Sequence, residues 1–179
     1  MITKKTLLVT IGTLAIGGYS ANGVAQEGPG YGRSPAPAPL EGTWIVKIRP
    51  VYCSGPSTGE YVPGTTPVTS HLTFGRGGTL VEATSNPNLG AGKRTPGQGW
   101  WERTGQTSYQ FAMEAFLVEP NAPYQTGLQR IEQTLELHTN DDWTSTGPVR
   151  FFATFDLNDA PGLAPYRGGC ARANGVRMY

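Results

Sequence analysis

From Gly42 to the last residue, apolar and polar side chains alternate with a period of two, and no stretch holds the 3.6-residue spacing of a helix. The alternation is clearest over residues 128–138. There Ile131, Gln133, Leu135 and Leu137 share one side, and Arg130, Glu132, Thr134 and Glu136 share the other. Over 108–118, Tyr109, Phe111, Met113 and Ala115 fall together, and over 149–156 Val149, Phe151, Ala153 and Phe155 do the same. Shorter strands are expected at 43–52, 68–74, 79–84, 100–104 and 166–178, which makes eight. Gly75-Arg76-Gly77-Gly78, Gly105-Gln106 and Asn140-Asp141-Asp142 are joints of two to four residues, so they force antiparallel hairpins. Longer segments, 54–67, 85–99 and 119–127, follow the first, third and fifth strands and so leave one end of the sheet. Tight turns at one end and long loops at the other predict an all-β fold: a single eight-stranded antiparallel up-and-down barrel shaped like a cup.

What precedes that pattern reads as an address and a tether. Lys4 and Lys5, the mostly apolar run from Leu7 to Ile16 and the small residues Gly23-Val24-Ala25 predict a removable export signal over 1–25. The apolar run is about half the roughly 20 residues of a membrane helix, so no integral membrane segment is expected in the mature chain. Gly28-Pro29-Gly30 and Ser34-Pro35-Ala36-Pro37-Ala38-Pro39 predict an extended linker over 26–41, which leaves 42–179 for the barrel domain. The full chain carries 14 Lys+Arg and 13 Asp+Glu, and loss of Lys4 and Lys5 would leave it slightly acidic. A nearly neutral chain lacks the basic surface of a nucleic-acid binder. Export implies the periplasm or the cell exterior, where Cys53 and Cys170 are expected to be oxidised; two cysteines allow one intramolecular bridge, the alternative being free or intermolecular thiols.

A bridge between Cys53 and Cys170 joins the first strand to the last, and so argues for a closed barrel over an open sandwich. Pairing Trp44 with Arg177 gives an alignment offset by only two positions, which one bulge near Pro50 would absorb. Trp44 and Arg177 are therefore the expected closure of the barrel's base, a ring beneath a guanidinium.

Gly42-Thr43-Trp44 at the start of the first strand and Arg177 at the end of the last resemble the Gly-x-Trp motif and closing arginine of lipocalin-type barrels. Thr139-Asn140-Asp141-Asp142-Trp143 is similar to their Thr-Asp-aromatic turn. A larger part of the chain, Phe74-Gly75-Arg76-Gly77-Gly78-Thr79-Leu80-Val81-Glu82 with Pro96-Gly97-Gln98-Gly99-Trp100-Trp101-Glu102-Arg103-Thr104-Gly105, resembles a group of small secreted bacterial β-barrel proteins of uncharacterised activity. Allene oxide cyclase, dirigent proteins and spirotetronate cyclases are similar eight-stranded barrels. The resemblance implies the barrel fold and keeps a cyclase pocket in view.

By strand parity the inner wall comprises Trp44, Val46, Ile48, Ser70, Leu72, Phe74, Tyr109, Phe111, Met113, Ile131, Leu135, Leu137, Val149, Phe151 and Phe155, joined by Trp101. Such an apolar wall with the polar handles Ser70, Tyr109 and Gln133 suits one small lipophilic ligand, contacted by Trp101, Tyr109, Phe111, Met113, Leu135, Phe151 and Phe155. A filled barrel acting as a scaffold carries the same pattern. A cofactor-free cyclase or isomerase is the enzymatic alternative, with Tyr109 or an inward glutamate such as Glu114 polarising the substrate. Parity places Glu114, Glu132 and Glu136 outside, and Glu82 and Glu102 are expected as solvated positions too. His71 and His138 stand 67 positions apart, each opposite its strand's apolar face, so neither a metal nor a cofactor is expected. Lys93 and Arg94, in the long 85–99 loop, are expected as a solvated pair at the mouth.

Overall fold

The computed structural model describes residues 39–86, 93–118, 126–158 and 160–179. The expected export signal and all but the last three residues of the linker lie outside the described residues. Eight strands follow in chain order: β1 (Gly42–Val51), β2 (Val68–Gly75), β3 (Thr79–Ser85), β4 (Gly97–Arg103), β5 (Ser108–Val118), β6 (Thr126–Leu137), β7 (Asp142–Phe152) and β8 (Arg167–Arg177). Each pairs antiparallel with its sequence neighbour, and β1 also pairs with β8, so the sheet is a closed up-and-down barrel.

Hairpin chemistry sets the closed end. Between β2 and β3 the chain reverses through Gly77 and Gly78, both at φ near +85° (83° and 86°), where a side chain would be strained. Trp101 N–H donates to the Gly78 carbonyl at 2.8 Å, and its indole N–H donates to the Gly75 carbonyl at 3.0 Å. β4 is thereby fastened under that turn.

The seam between β1 and β8 runs without interruption from Trp44 opposite Arg177 to Val51 opposite Cys170. The bulge expected near Pro50 is absent. Cys53 instead lies two residues past the end of β1, and the chain turns back there to bond with Cys170, with Cα atoms 5.2 Å apart. Gly59 N–H donates to Tyr52 O and Tyr52 N–H to Glu60 O, which holds this turn against the wall. The bridge closes a loop of 117 residues, a constraint on the order of 4–5 kcal/mol in the chain-entropy model.

Strand β7 departs furthest from the sequence expectation. It starts at Asp142 rather than 149, because Gly147-Pro148 continues the strand instead of breaking it. The β6–β7 ladder opens opposite these two residues, while Pro148 still faces Cys170 of β8. A proline is accommodated where the ladder does not need its missing N–H. The strand also ends at Phe152 rather than 156. Asp156 N–H turns back to the Thr154 hydroxyl (3.2 Å) and Asn158 N–H to the Asp156 carboxylate (2.8 Å), a local alternative to the ladder.

Inside, Leu40, Trp44, Leu72, Phe74, Leu80, Trp101, Tyr109, Phe111, Leu135, Leu137 and Trp143 form most of the core. The base is aromatic. Trp44 meets Trp143 edge-on at 6.0 Å, and Phe74 packs at 5.8–6.2 Å against Trp101, Phe111 and Trp143. Arg177 covers Trp44 from outside at 4.2 Å and donates to the carbonyls of Glu41 (2.8 Å) and Asn140 (2.6 Å). The expected base closure is therefore present, worth roughly 0.5–2 kcal/mol as a cation–π contact. The Trp44 indole N–H donates to Leu40 O, which brings fully buried Leu40 in as a stopper. Gly175 makes room for Trp143: a Cβ there would stand 2.1 Å from the indole.

Candidate functional site

The half of the interior nearer the long loops has a different chemistry. Glu82, on β3, is a fully buried carboxylate (1 % exposed) that points into the barrel. The sequence expectation of a solvated Glu82 is overturned, and the hairpin register explains why. Gly75 faces Thr79, so inward Phe74 faces Leu80 and inward Leu72 faces Glu82. β3 carries apolar residues on both faces, Leu80 on one and Val81 and Ala83 on the other, so alternation alone did not choose between them.

Arg94 completes the site. Gln98 pairs with Glu114, yet Arg94 pairs with Leu117, four residues along one chain against three along the other. Thr95 N–H donates to Phe116 O, and Val118 N–H to Lys93 O. One extra residue at Thr95-Pro96 is a bulge, which turns Arg94 from the outer parity of Gln98 and Trp100 to the inside. The expected solvated Arg94 is thus a buried one, its side chain 8 % exposed. Its Nη1 donates to Glu82 Oε2 at 2.6 Å and its Nε to Gln129 Oε1 at 2.5 Å. Gly97 N–H also donates to Glu82 Oε2 (3.1 Å), and the Ser70 hydroxyl lies 3.1 Å from Glu82 Oε1 while accepting from Thr84. A Cβ on Gly97 would come within 2.8 Å of Glu82 Oε2, so glycine is what lets the carboxylate lie across β4.

The pair is expensive to bury. Two charges lose their hydration, and apolar side chains of similar volume are commonly neutral or better for stability. Every polar partner named above supports the charges, as a buried ion pair requires, and the bonds from Arg94 run from Nε and Nη1. Apolar neighbours flank it on the inner wall: Ala115 faces Gln129, Gln129 faces Phe151, and Met113 faces Ile131.

The other expected site residues divide by position. Trp101, Tyr109, Phe111 and Leu135 lie inside but belong to the packed base, whereas Met113 and half-buried Phe151 lie toward the mouth. Tyr109 is 1 % exposed, and its hydroxyl has no hydrogen-bond partner among the described residues. Phe155 is outside the barrel, corrected from an inner position. It is 52 % exposed and meets Phe116 at 6.0 Å on the outer wall, because the chain leaves the sheet after Phe152. Glu114 also faces outward, and its carboxylate pairs with Arg130 at 3.0 Å, so it takes no part in an interior reaction. Gln133, the third expected handle, is buried beside Ser145, and its amide donates to Ala171 O at 3.4 Å. Trp143 was missed as an inner residue, although its place opposite Leu137 across the 138–141 turn was a usable signal.

The chain matches no protein-family model and no characterised protein in sequence.

Proposed function

We propose that this is an exported barrel that binds one small amphipathic molecule in the mouth half of its interior. The observation that carries this reading is the buried Glu82–Arg94 pair. A barrel needing only a core gains nothing from ions at that depth. Departures of this kind from the apolar rule concentrate at functional sites. The pair is neutral overall and offers both acceptor and donor atoms. It therefore suits an uncharged hydroxyl or carbonyl head group, with the apolar part of the ligand against Met113, Ile131 and Phe151. The disulfide fits export to the periplasm or the exterior, and the described residues include no helix long and apolar enough to cross a membrane.

Titration with Nile red, an uncharged lipophilic ketone, tests the reading. The expected result is one saturable site per chain, lost in the Glu82→Leu/Arg94→Met double variant, whose barrel is expected to stay folded by its circular-dichroism spectrum. No saturable fluorescence in the folded wild-type protein would overturn it.

The inward Glu82 also favours a second reading, a cofactor-free cyclase or isomerase. Glu82 would move a proton while Arg94 holds a developing oxyanion. Assayed with unsaturated epoxide and ketone lipids, Glu82→Gln should abolish turnover while leaving Nile red bound. Failure of the wild-type protein to convert any of them removes this reading.

A further inference from the structure

The outer wall carries a second feature that the interior does not explain. An open groove of about 500 Å³ crosses the outer face from Tyr61 to Glu136. Its floor is two cross-strand rows of polar side chains. In the first, Glu136 faces Thr144 and Thr144 faces Asn174; in the second, Thr134 faces Thr146 and Thr146 faces Arg172. These rows lie over three strands, and Ser108 of β5 faces Glu136 to extend the first row to four. At about 4.8 Å per strand step the longer row is roughly 14 Å across, the length of a short oligosaccharide.

The Tyr61 end is electrostatically odd. Arg49 and Arg172 are direct cross-strand partners, an arrangement in which like charges repel. Neither guanidinium forms an ion pair or a hydrogen bond among the described residues. Their one shared contact is the Tyr61 ring, 5.2 Å from Arg49 and 5.9 Å from Arg172. Tyr61 is itself placed firmly. It bridges to Val51, and Val62 N–H donates to Pro50 O at 3.1 Å, so the loop after β1 lies on the wall beside the disulfide. An aromatic face at one end, two uncompensated arginines beneath it, and a floor of hydroxyl, amide and carboxylate groups complement a sugar chain that carries an anionic group.

We propose that this groove is a binding site for an acidic oligosaccharide, its carboxylate held at Arg172 with the charge of neighbouring Arg49 behind it, one ring against Tyr61, and its hydroxyls on Thr146, Thr144, Asn174 and Glu136. Asn174 supplies both a donor and an acceptor, and the Glu136 carboxylate keeps acceptor capacity beyond its bonds from Thr107 and Ser108. The site is separate from the interior cluster, because the rows that line it face outward.

Isothermal titration of the oxidised full-length barrel with trigalacturonate, maltotriose and sodium sulfate tests the assignment. Trigalacturonate should bind with a Kd of about 1 mM or tighter, weakening as salt rises, with maltotriose and sulfate each at least tenfold weaker. Arg172→Gln should remove the preference for the acidic sugar, and Asn174→Ala should weaken it about tenfold with the barrel's melting temperature retained. The Glu82→Leu/Arg94→Met variant should bind trigalacturonate as the wild type does, so loss of Nile red binding leaves this site standing. Absence of trigalacturonate binding overturns the proposal, as does sulfate binding of equal strength, which would mark a bare anion site.

Discussion

At the base of the barrel Trp44, Phe74, Trp101 and Trp143 meet edge to face, while a few residues nearer the mouth Glu82 and Arg94 occupy the same interior as ions. The base gains its stability from apolar area removed from water and from close aromatic contact, terms that favour any well-filled arrangement. The mouth half carries charges whose burial is offset by the polar partners around them, Gly97 N–H, Ser70 and Gln129. One wall thus holds a region made for cohesion and a region whose composition cohesion does not explain.

A graded series of changes breaks or sharpens that contrast. The largest effects are expected from opening each region. Trp143→Ala should cost about 3–5 kcal/mol in urea unfolding, yet leave Nile red binding intact in the molecules that remain folded. Glu82→Gln should cost a similar 3–5 kcal/mol, because Arg94 is left buried without its counter-charge, and Glu82→Leu/Arg94→Met should recover most of that loss. If Glu82→Gln were as stable as wild type, the ionic view of the mouth would fail. Next comes Gly97→Ala, which pushes a methyl group against the carboxylate and should cost about 1–3 kcal/mol. Glu132→Gln on the outer wall tests the same residue type on the wet face. Its bonds to Arg130 and Arg150 are solvent-screened, so less than about 1 kcal/mol should be lost.

The smallest effects are pH-dependent and belong to exposed groups near the base. Hydrogen bonds from Thr107 and Ser108 hold the Glu136 carboxyl below its ordinary range. Its contribution to stability is therefore complete above the ordinary carboxylate value and fades as pH falls through the lowered one. Donation to the Asp141 carboxylate raises the Tyr179 hydroxyl, so its contribution is present below the ordinary phenol value and fades as pH rises through the raised one. Melting temperatures of Glu136→Gln and Tyr179→Phe, measured against pH, should show slightly flatter acid and alkaline limbs respectively.

Much of this architecture was readable without coordinates. Short Gly- and Asp-containing joints dictated neighbouring strands, Cys53 and Cys170 sat at opposite ends of the barrel domain, and alternation placed Trp44, Phe111, Leu135 and most of the base correctly. The candidate site was legible only in part. Ser70 was assigned inward, and Glu82 was recoverable from the Phe74–Leu80 hairpin register. Arg94 carried no local sign of burial.

Period-two patterning and turn length therefore determined the barrel and its order, because both are properties of a few adjacent residues. Which face β3 buries, where β7 abandons the sheet and how the Thr95-Pro96 bulge turns Arg94 inward were decided only in the assembled fold. Each depends on hydrogen bonds to a partner strand distant in sequence, and a slip of one residue in such a ladder exchanges inside for outside.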